Sequence, residues 1–260
     1  IIQSDIIYLN NDLSDEKSKH MINFISEGDN CIIFKNNLIR VINMSFNGFS
    51  ACNVSGLYLT GGVSFYQSNI NAKNLIAMNN KSGDDLVNII KSKFKISNLY
   101  LENSLYDGLD IDYSEGMASE VSCLDCGKKE GGDGIDLSHS EIFIEKMFIK
   151  NSFDKGLSIG ENTNLNLKNL DINNATVCLA NKDGSHSIIY SAKISNCKMG
   201  IAAFTKKNYY GFSKLEIDTT DLSNNEIDYV RDDKNKIIIG GWEIIDKKFI
   251  DNNIYKKIYE

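Results

Sequence analysis

The most constraining feature of this chain is a short motif that returns about every 22 residues. Tyr106-Asp107-Gly108-Leu109-Asp110-Ile111-Asp112 and Gly132-Asp133-Gly134-Ile135-Asp136-Leu137-Ser138 each read as a turn running into a strand, with aliphatics on one face and carboxylates on the other. Further copies are Asp154-Lys155-Gly156-Leu157, Val177-Cys178-Leu179-Ala180 and Met199-Gly200-Ile201-Ala202, with an earlier one at Asp84-Asp85-Leu86-Val87-Asn88. The marked aliphatics Leu86, Leu109, Ile135, Leu157, Leu179 and Ile201 stand 23, 26, 22, 22 and 22 residues apart. A unit this short cannot bury its apolar face alone and must stack on copies of itself. The period predicts an all-β chain wound as a right-handed parallel β-helix, a solenoid with three short strands per turn.

In the turn that ends at Leu109, the strands are read as Phe94-Lys95-Ile96, Leu99-Tyr100-Leu101 and Leu109-Asp110-Ile111-Asp112. Two-residue links such as Lys73-Asn74, Ser97-Asn98 and Lys168-Asn169 join the first two strands, and their Asn is read as a left-handed bend residue. A second series, Asn80, Asn103, Asn151 and Asn173, precedes each marked aliphatic by six residues. Both series are read as structural amide stacks. Residues 1–31 form either an N-terminal segment, in which Ser14-Asp15-Glu16-Lys17 caps a helix reaching Ile25, or the first turns of the solenoid, and residues 32–240 form the β-helix. Residues 241–260 form a cap, whose Ile245, Phe249, Ile250, Ile254 and Ile258 suit an amphipathic helix over the open end. Lys206-Lys207-Asn208-Tyr209-Tyr210-Gly211 breaks the strand pattern and is read as a protruding loop.

The net charge of −7 and the lack of a basic patch interleaved with aromatics predict no nucleic-acid partner and favour a cationic or metal-bridged ligand. No apolar run approaches the roughly 18 residues of a membrane helix, so no membrane span is expected. The start Ile1-Ile2-Gln3-Ser4-Asp5 has neither an initiator Met nor signal-peptide regions. The chain therefore reads as a processed form or a fragment with a neighbouring domain of a larger protein, and its compartment stays open. Of the six cysteines, Cys123 and Cys126 form a lone CxxC with no second pair, so all six are expected as free, buried residues without zinc.

Leu59-Thr60-Gly61-Gly62-Val63-Ser64-Phe65-Tyr66, Asp85-Leu86-Val87-Asn88-Ile89-Ile90, Gly132-Asp133-Gly134-Ile135-Asp136 and Ala203-Phe204-Thr205-Lys206-Lys207 occur in an order that resembles the β-helix region of bacterial proteins, some of which also carry a CotH-like kinase segment. This resemblance covers about residues 56–240 and implies a bacterial source and a pectate-lyase-like fold. A looser resemblance is to family 9 pectate lyases, where an Asp-Asp-Gly-aromatic-Asp signature binds calcium and a lysine takes the sugar proton. The matching positions are Gly132, Asp133, Gly134, Ile135 and Asp136, with Gly132 where the family has its first aspartate.

The repeat places Asp110 and Asp136 at equivalent positions on adjacent turns, about 5 Å apart. Two carboxylates that close need either a bridging cation or a retained proton. Asp112 shares their face, while Asp107 and Asp133 sit in the preceding turns. Oxygen ligands in that number suit calcium (Ca2+), held by Asp110, Asp112, Asp133 and Asp136. The catalytic candidates are Asp110, Asp112, Asp136, Lys155 and Lys182, as an acid and base pair for hydrolysis or as a lysine that removes a sugar proton. Asp107, Asp133, Glu161, His139, Tyr113 and Tyr210 are the substrate-binding candidates, with His139 and His186 on a cleft wall and the tyrosines as stacking platforms. A purely structural reading stands beside this one: Asp before Gly is ordinary turn chemistry, and Lys155 balances charge.

Two functions follow. One is a carbohydrate-active protein that binds an acidic polysaccharide or oligosaccharide on the Asp-rich face and cleaves or epimerises it. The other is a non-catalytic scaffold that binds glycan or protein, which the short turns after Leu157, and so low cleft walls, would suit.

Overall fold

The computed structural model describes residues 6–9, 13–15, 20–54, 57–129 and 131–245. It is a parallel β-solenoid in which equivalent strands of successive turns pair side by side. A ten-stranded sheet contains the marked strands Asp85–Ile90, Asp107–Asp112, Ile135–Ser138, Lys155–Gly160, Val177–Lys182 and Met199–Phe204. The second sheet is built from ten-residue strands such as Lys93–Glu102, Glu115–Leu124 and Glu141–Lys150.

The first two expected strands of each turn are therefore one strand. Ser97 and Asn98 lie inside Lys93–Glu102, and Asn98 pairs in register with Asn74 and Glu120. Asn74 and Asn98 are extended, and their amides form a ladder: Asn98 donates to Asn74 at 2.7 Å and Asn74 to Asn43 at 2.6 Å. The left-handed bends come one step later, after the long strands, at Asn79, Asn103, Asp125, Asn151, Asn174 and Asn196. There Asn103 and Asn151 fit the expected series, whereas Asn79 and Asn174 replace Asn80 and Asn173. Asn151 donates to Asp125 at 2.7 Å and Asn174 to Asn151 at 2.9 Å.

The marked aliphatics point inward into one continuous core with Ile96, Leu101, Ile144, Ile149, Leu167 and Ile172. Val87, not Leu86, pairs with Leu109, which makes that spacing 22 residues. Both Leu86 and Val87 are buried, so hydrophobicity alone does not separate the two registers. Inside the bend that leads from the marked strand to the long one runs a column of buried hydroxyls. The backbone N–H of Ser68 donates to Ser92 Oγ at 2.9 Å, that of Ser92 to Ser114 Oγ at 3.0 Å, and that of Ser114 to Ser140 Oγ at 3.0 Å. Thr163 and Ser185 continue it. Each hydroxyl satisfies a buried amide of the turn before, which a bend cannot do with backbone alone.

Three further expectations are corrected. Ile22–Ile25 is a strand paired with Met44–Asn47 and not the end of a helix, because its alternating side chains extend the sheet over Phe46. Trp242–Glu243 turns back as an antiparallel strand on Ile238–Ile239, while the rest of the expected cap helix, residues 246–260, lies outside the described residues. The cysteines are paired as Cys31–Cys52, Cys123–Cys126 and Cys178–Cys197. The solenoid brings each pair together, at Cα separations of 5.8, 6.1 and 5.9 Å.

The hydroxyl column carries a direct test. Ser140→Ala strips the hydroxyl acceptor from the buried Ser114 amide, and we predict a loss of about 1–3 kcal/mol in urea unfolding. Ser122→Ala, on the half-exposed outer side of a long strand, is predicted to stay within about 0.5 kcal/mol of the parent.

Candidate functional site

The outward face of the marked strands carries the candidate residues. Asp110 pairs in register with Asp136 on one side and Asn88 on the other, and Asp112 pairs with Ser138. Asn88 Nδ2 donates to Asp110 Oδ2 at 2.9 Å, and Asp112 follows two residues on along the same strand. One row over, Asp85 pairs with Asp107, and the Asp133 amide donates to Asp107 Oδ1 at 2.7 Å. Asp107, Asp133 and Asp136 offer carboxylate oxygens within 4.8 Å of one another.

Glycines let these strands pack tightly. The Gly that follows Asp at Gly108 and Gly134 is not in a left-handed conformation, so the step is not a glycine turn. It is a close approach, since a Cβ on Gly134 would come 2.6 Å from the Gly156 carbonyl. Gly160 has another role. A Cβ there would meet Lys182 Cε at 2.7 Å, so Lys182 lies across Gly160 and brings its Nζ to 4.0 Å from Asp136 Oδ1.

Lys155 is 8% exposed and sits 3.3 Å from Asp133, with an ion pair to Asp154 as well. Burial works against its charge, but Asp133 and Asp154 outweigh this and hold the ammonium above its usual value. Lys155 thus stands as a counter-charge to Asp133 and Asp154. Burial, opposed by a Thr60 hydrogen bond and aided by Asp84, Asp112 and Asp136, pushes the Asp85 carboxyl up to about 7. Burial raises Asp133 to about 6 despite Lys155. Asp107 and Asp110 are raised well above the carboxylate range by burial and by the surrounding aspartates.

A wall stands where low ones were expected. The loop after Phe204, with its 3-10 turn Asn208–Tyr210, is pinned by Asp183, whose carboxylate accepts from the Lys206 and Lys207 amides at 2.7 and 2.5 Å. Tyr210 Oη lies 2.8 Å from His139 Nε2, and His139 Nδ1 lies 3.5 Å from Glu161. Tyr113 stacks on His139 with centroids 4.3 Å apart, and Lys207 pairs with Glu161. His139, Tyr113, Tyr210 and Glu161 therefore belong to the wall. His186 does not: it starts a strand of the long sheet and meets Glu216 at 3.2 Å.

Opposite, Thr60, Asp84, Asp85, Tyr106, Asp107, Asp110, Gly131 and Asp136 line a cavity of about 260 Å³. Asp85 is only 2% exposed, and its Oδ2 accepts no hydrogen bond; Asp136 Oδ1 is likewise buried without one. Asp85 and Asn88 were not singled out in the sequence, although Asp85 precedes Asp107 by one 22-residue turn.

No protein-family model matches this chain, no characterised protein matches its sequence, and no solved structure matches its fold. The fold and its site define the class of this protein as a parallel β-solenoid with a walled, acidic groove. Neither a CotH link nor membership of a pectate lyase family is shown. Among the described residues, no helix is long and apolar enough to cross a membrane.

The raised carboxyls set a pH dependence. Above about pH 4 the unfolded chain has released protons that the folded state still holds on Asp85 and Asp133, so stability is full below that pH and is lost as pH rises through about 6 to 7. In chelator, we predict that unfolding free energy falls steadily from about pH 4 to about pH 7. Asp85→Asn is predicted to flatten the slope; an unchanged slope in that variant contradicts the assignment.

Proposed function

We propose that this protein binds an acidic polysaccharide in the walled groove through a divalent cation, calcium, and acts on the bound sugar. The observation that carries the reading is the Asp column itself. Like charges placed directly opposite destabilise a sheet, yet here aspartates face each other in two adjacent rows. Asp85 Oδ2 is buried with no hydrogen-bond donor, and Asp136 Oδ1 has none either, with Lys182 Nζ standing 4.0 Å away. A hard cation with six to eight oxygen ligands answers both facts. Asp107, Asp133 and Asp136 are the central ligands on this reading, with Asp85 and Asp110 completing the set from the same cavity. Asp112, which pairs with Ser138 and feels the charges of Glu161 and His139, lies toward the wall.

A cation at this place supplies charge for a sugar carboxylate and acidifies the neighbouring C–H. On this reading Lys182 is the base: its chain lies over Gly160 and its Nζ reaches the Asp136 row, and it takes the sugar proton as the neutral amine, after giving up its own proton to solvent. Hydrolysis by an acid and base pair is supported less, because the carboxylates are gathered in one buried cluster and do not flank a gap. Three disulfides support residence in an oxidising compartment, where such polymers are met.

Calorimetric titration with calcium at pH 7.5 tests the first step. We predict a dissociation constant of about 10⁻⁴ M, in the range of extracellular modules, weakened at least about tenfold by Asp107→Asn or Asp136→Asn. No calcium binding by the unsubstituted protein sinks the cation reading. Lys182→Ala separates processing from recognition: it is predicted to keep uronate binding and to lose release of unsaturated or epimerised product. If the parent binds glycan but yields no product, the groove is a recognition site.

A further inference from the structure

We infer that the groove takes the end of an acidic glycan chain, or a short oligosaccharide, and excludes internal stretches of a long polymer. The inference deepens the glycan reading above and rests on it. Its evidence is the way the outer face of the marked sheet changes from turn to turn. One outward row runs Ser64, Asn88, Asp110, Asp136, Ser158, Ala180, Ala202 and Val230. In that row Ser64, Asn88, Ser158, Ala180 and Ala202 are fully buried and Val230 is 1% exposed, which leaves Asp110 and Asp136 as its accessible members. A neighbouring row runs Asp85, Asp107, Asp133, Lys155, Val177 and Met199, and of these Asp107 alone is more than marginally exposed.

Both ends of the face are closed by packing. Toward the N-terminus, Leu59 and Cys52 of the hairpin Cys52–Leu59 pack with Ile33, Tyr66 and Ile90, and the Cys31–Cys52 disulfide fastens that hairpin to the sheet. Toward the C-terminus, Val177, Ala180, Met199, Ala202 and Phe204 form an apolar cluster separate from the core and closed to solvent. The ionisable floor is thus a window over the Asp107 and Ile135 strands, with Lys182 folding back toward it. Across the strand direction it is rimmed by Thr60, Tyr106 and Gly131 on one side and by the Tyr113, His139 and Tyr210 stack on the other. With turns about 4.8 Å apart, the window measures about 10–15 Å along the solenoid, room for a few sugar rings. A polymer lying along the solenoid would have to pass over faces that are already covered.

Length dependence of binding tests this directly. Galacturonate, mannuronate and guluronate oligomers from dimer to hexamer, and the parent polymers, are titrated into the full chain in millimolar calcium. The expected result is affinity that rises to the trimer and then stays within about twofold, with one protein bound per polymer chain whatever its length. Affinity that climbs about tenfold from trimer to hexamer, or many proteins bound along one polymer chain, overturns the length limit and leaves the glycan reading standing. Absence of binding in all three series overturns the glycan reading and the length limit together.

Discussion

In-register parallel stacking is the constraint on which everything else in this molecule depends. Each residue lies about 4.8 Å from its equivalents in the turns above and below, so whatever recurs at the period becomes a column. Recurring aliphatics become a core, as Val87, Leu109, Ile135, Leu157, Leu179 and Ile201 do. Recurring amides become a ladder, as at Asn43, Asn74 and Asn98, and recurring hydroxyls become the buried chain from Ser68 to Ser185. In each case, repetition turns a single weak contact into a continuous one.

For carboxylates the same rule works in reverse. An acid repeated at the period meets its own copy, and burial makes the meeting worse, which is why Asp85, Asp107, Asp110 and Asp133 all hold their protons more tightly than a free carboxyl. The protein offsets part of this with Lys155, locked between Asp133 and Asp154, and with the Asn88 amide on Asp110. It leaves Asp85 Oδ2 and Asp136 Oδ1 without a hydrogen bond, the latter with only Lys182 Nζ at 4.0 Å. Elsewhere in these two rows the residues are Ser, Asn, Ala, Val, Met and the counter-charge Lys155, so the acidic stretch is local and not a habit of the repeat.

What the sequence made legible follows the same physics. The 22-residue period shows through because core aliphatics have no substitute, and it led to the parallel solenoid and to Asp110 opposite Asp136. The register at Leu86 was misread because two adjacent apolar residues both find burial there, one of them beside the core column. Strand count failed because a β-strand that bends gently and a pair of strands joined by a tight link have the same alternation. Cysteine pairing was invisible for a different reason: Cys178 and Cys197 are 19 residues apart and meet only once the turn between them has closed. His139 was legible as a wall residue and Lys206 to Gly211 as a protruding loop, but their meeting was not, because His139 and Tyr210 are 71 residues apart and nothing local in either marks the other as its partner.

The central claim is that the aspartates oppose one another because a cation belongs between them. Anomalous diffraction from crystals grown with a lanthanide in place of calcium tests it most directly. The expected result is one strong peak within coordination distance of Asp107, Asp133 and Asp136, at the mouth of the cavity that Asp85 lines. Density there for water alone, with the aspartates bonded to one another through shared protons, would contradict it.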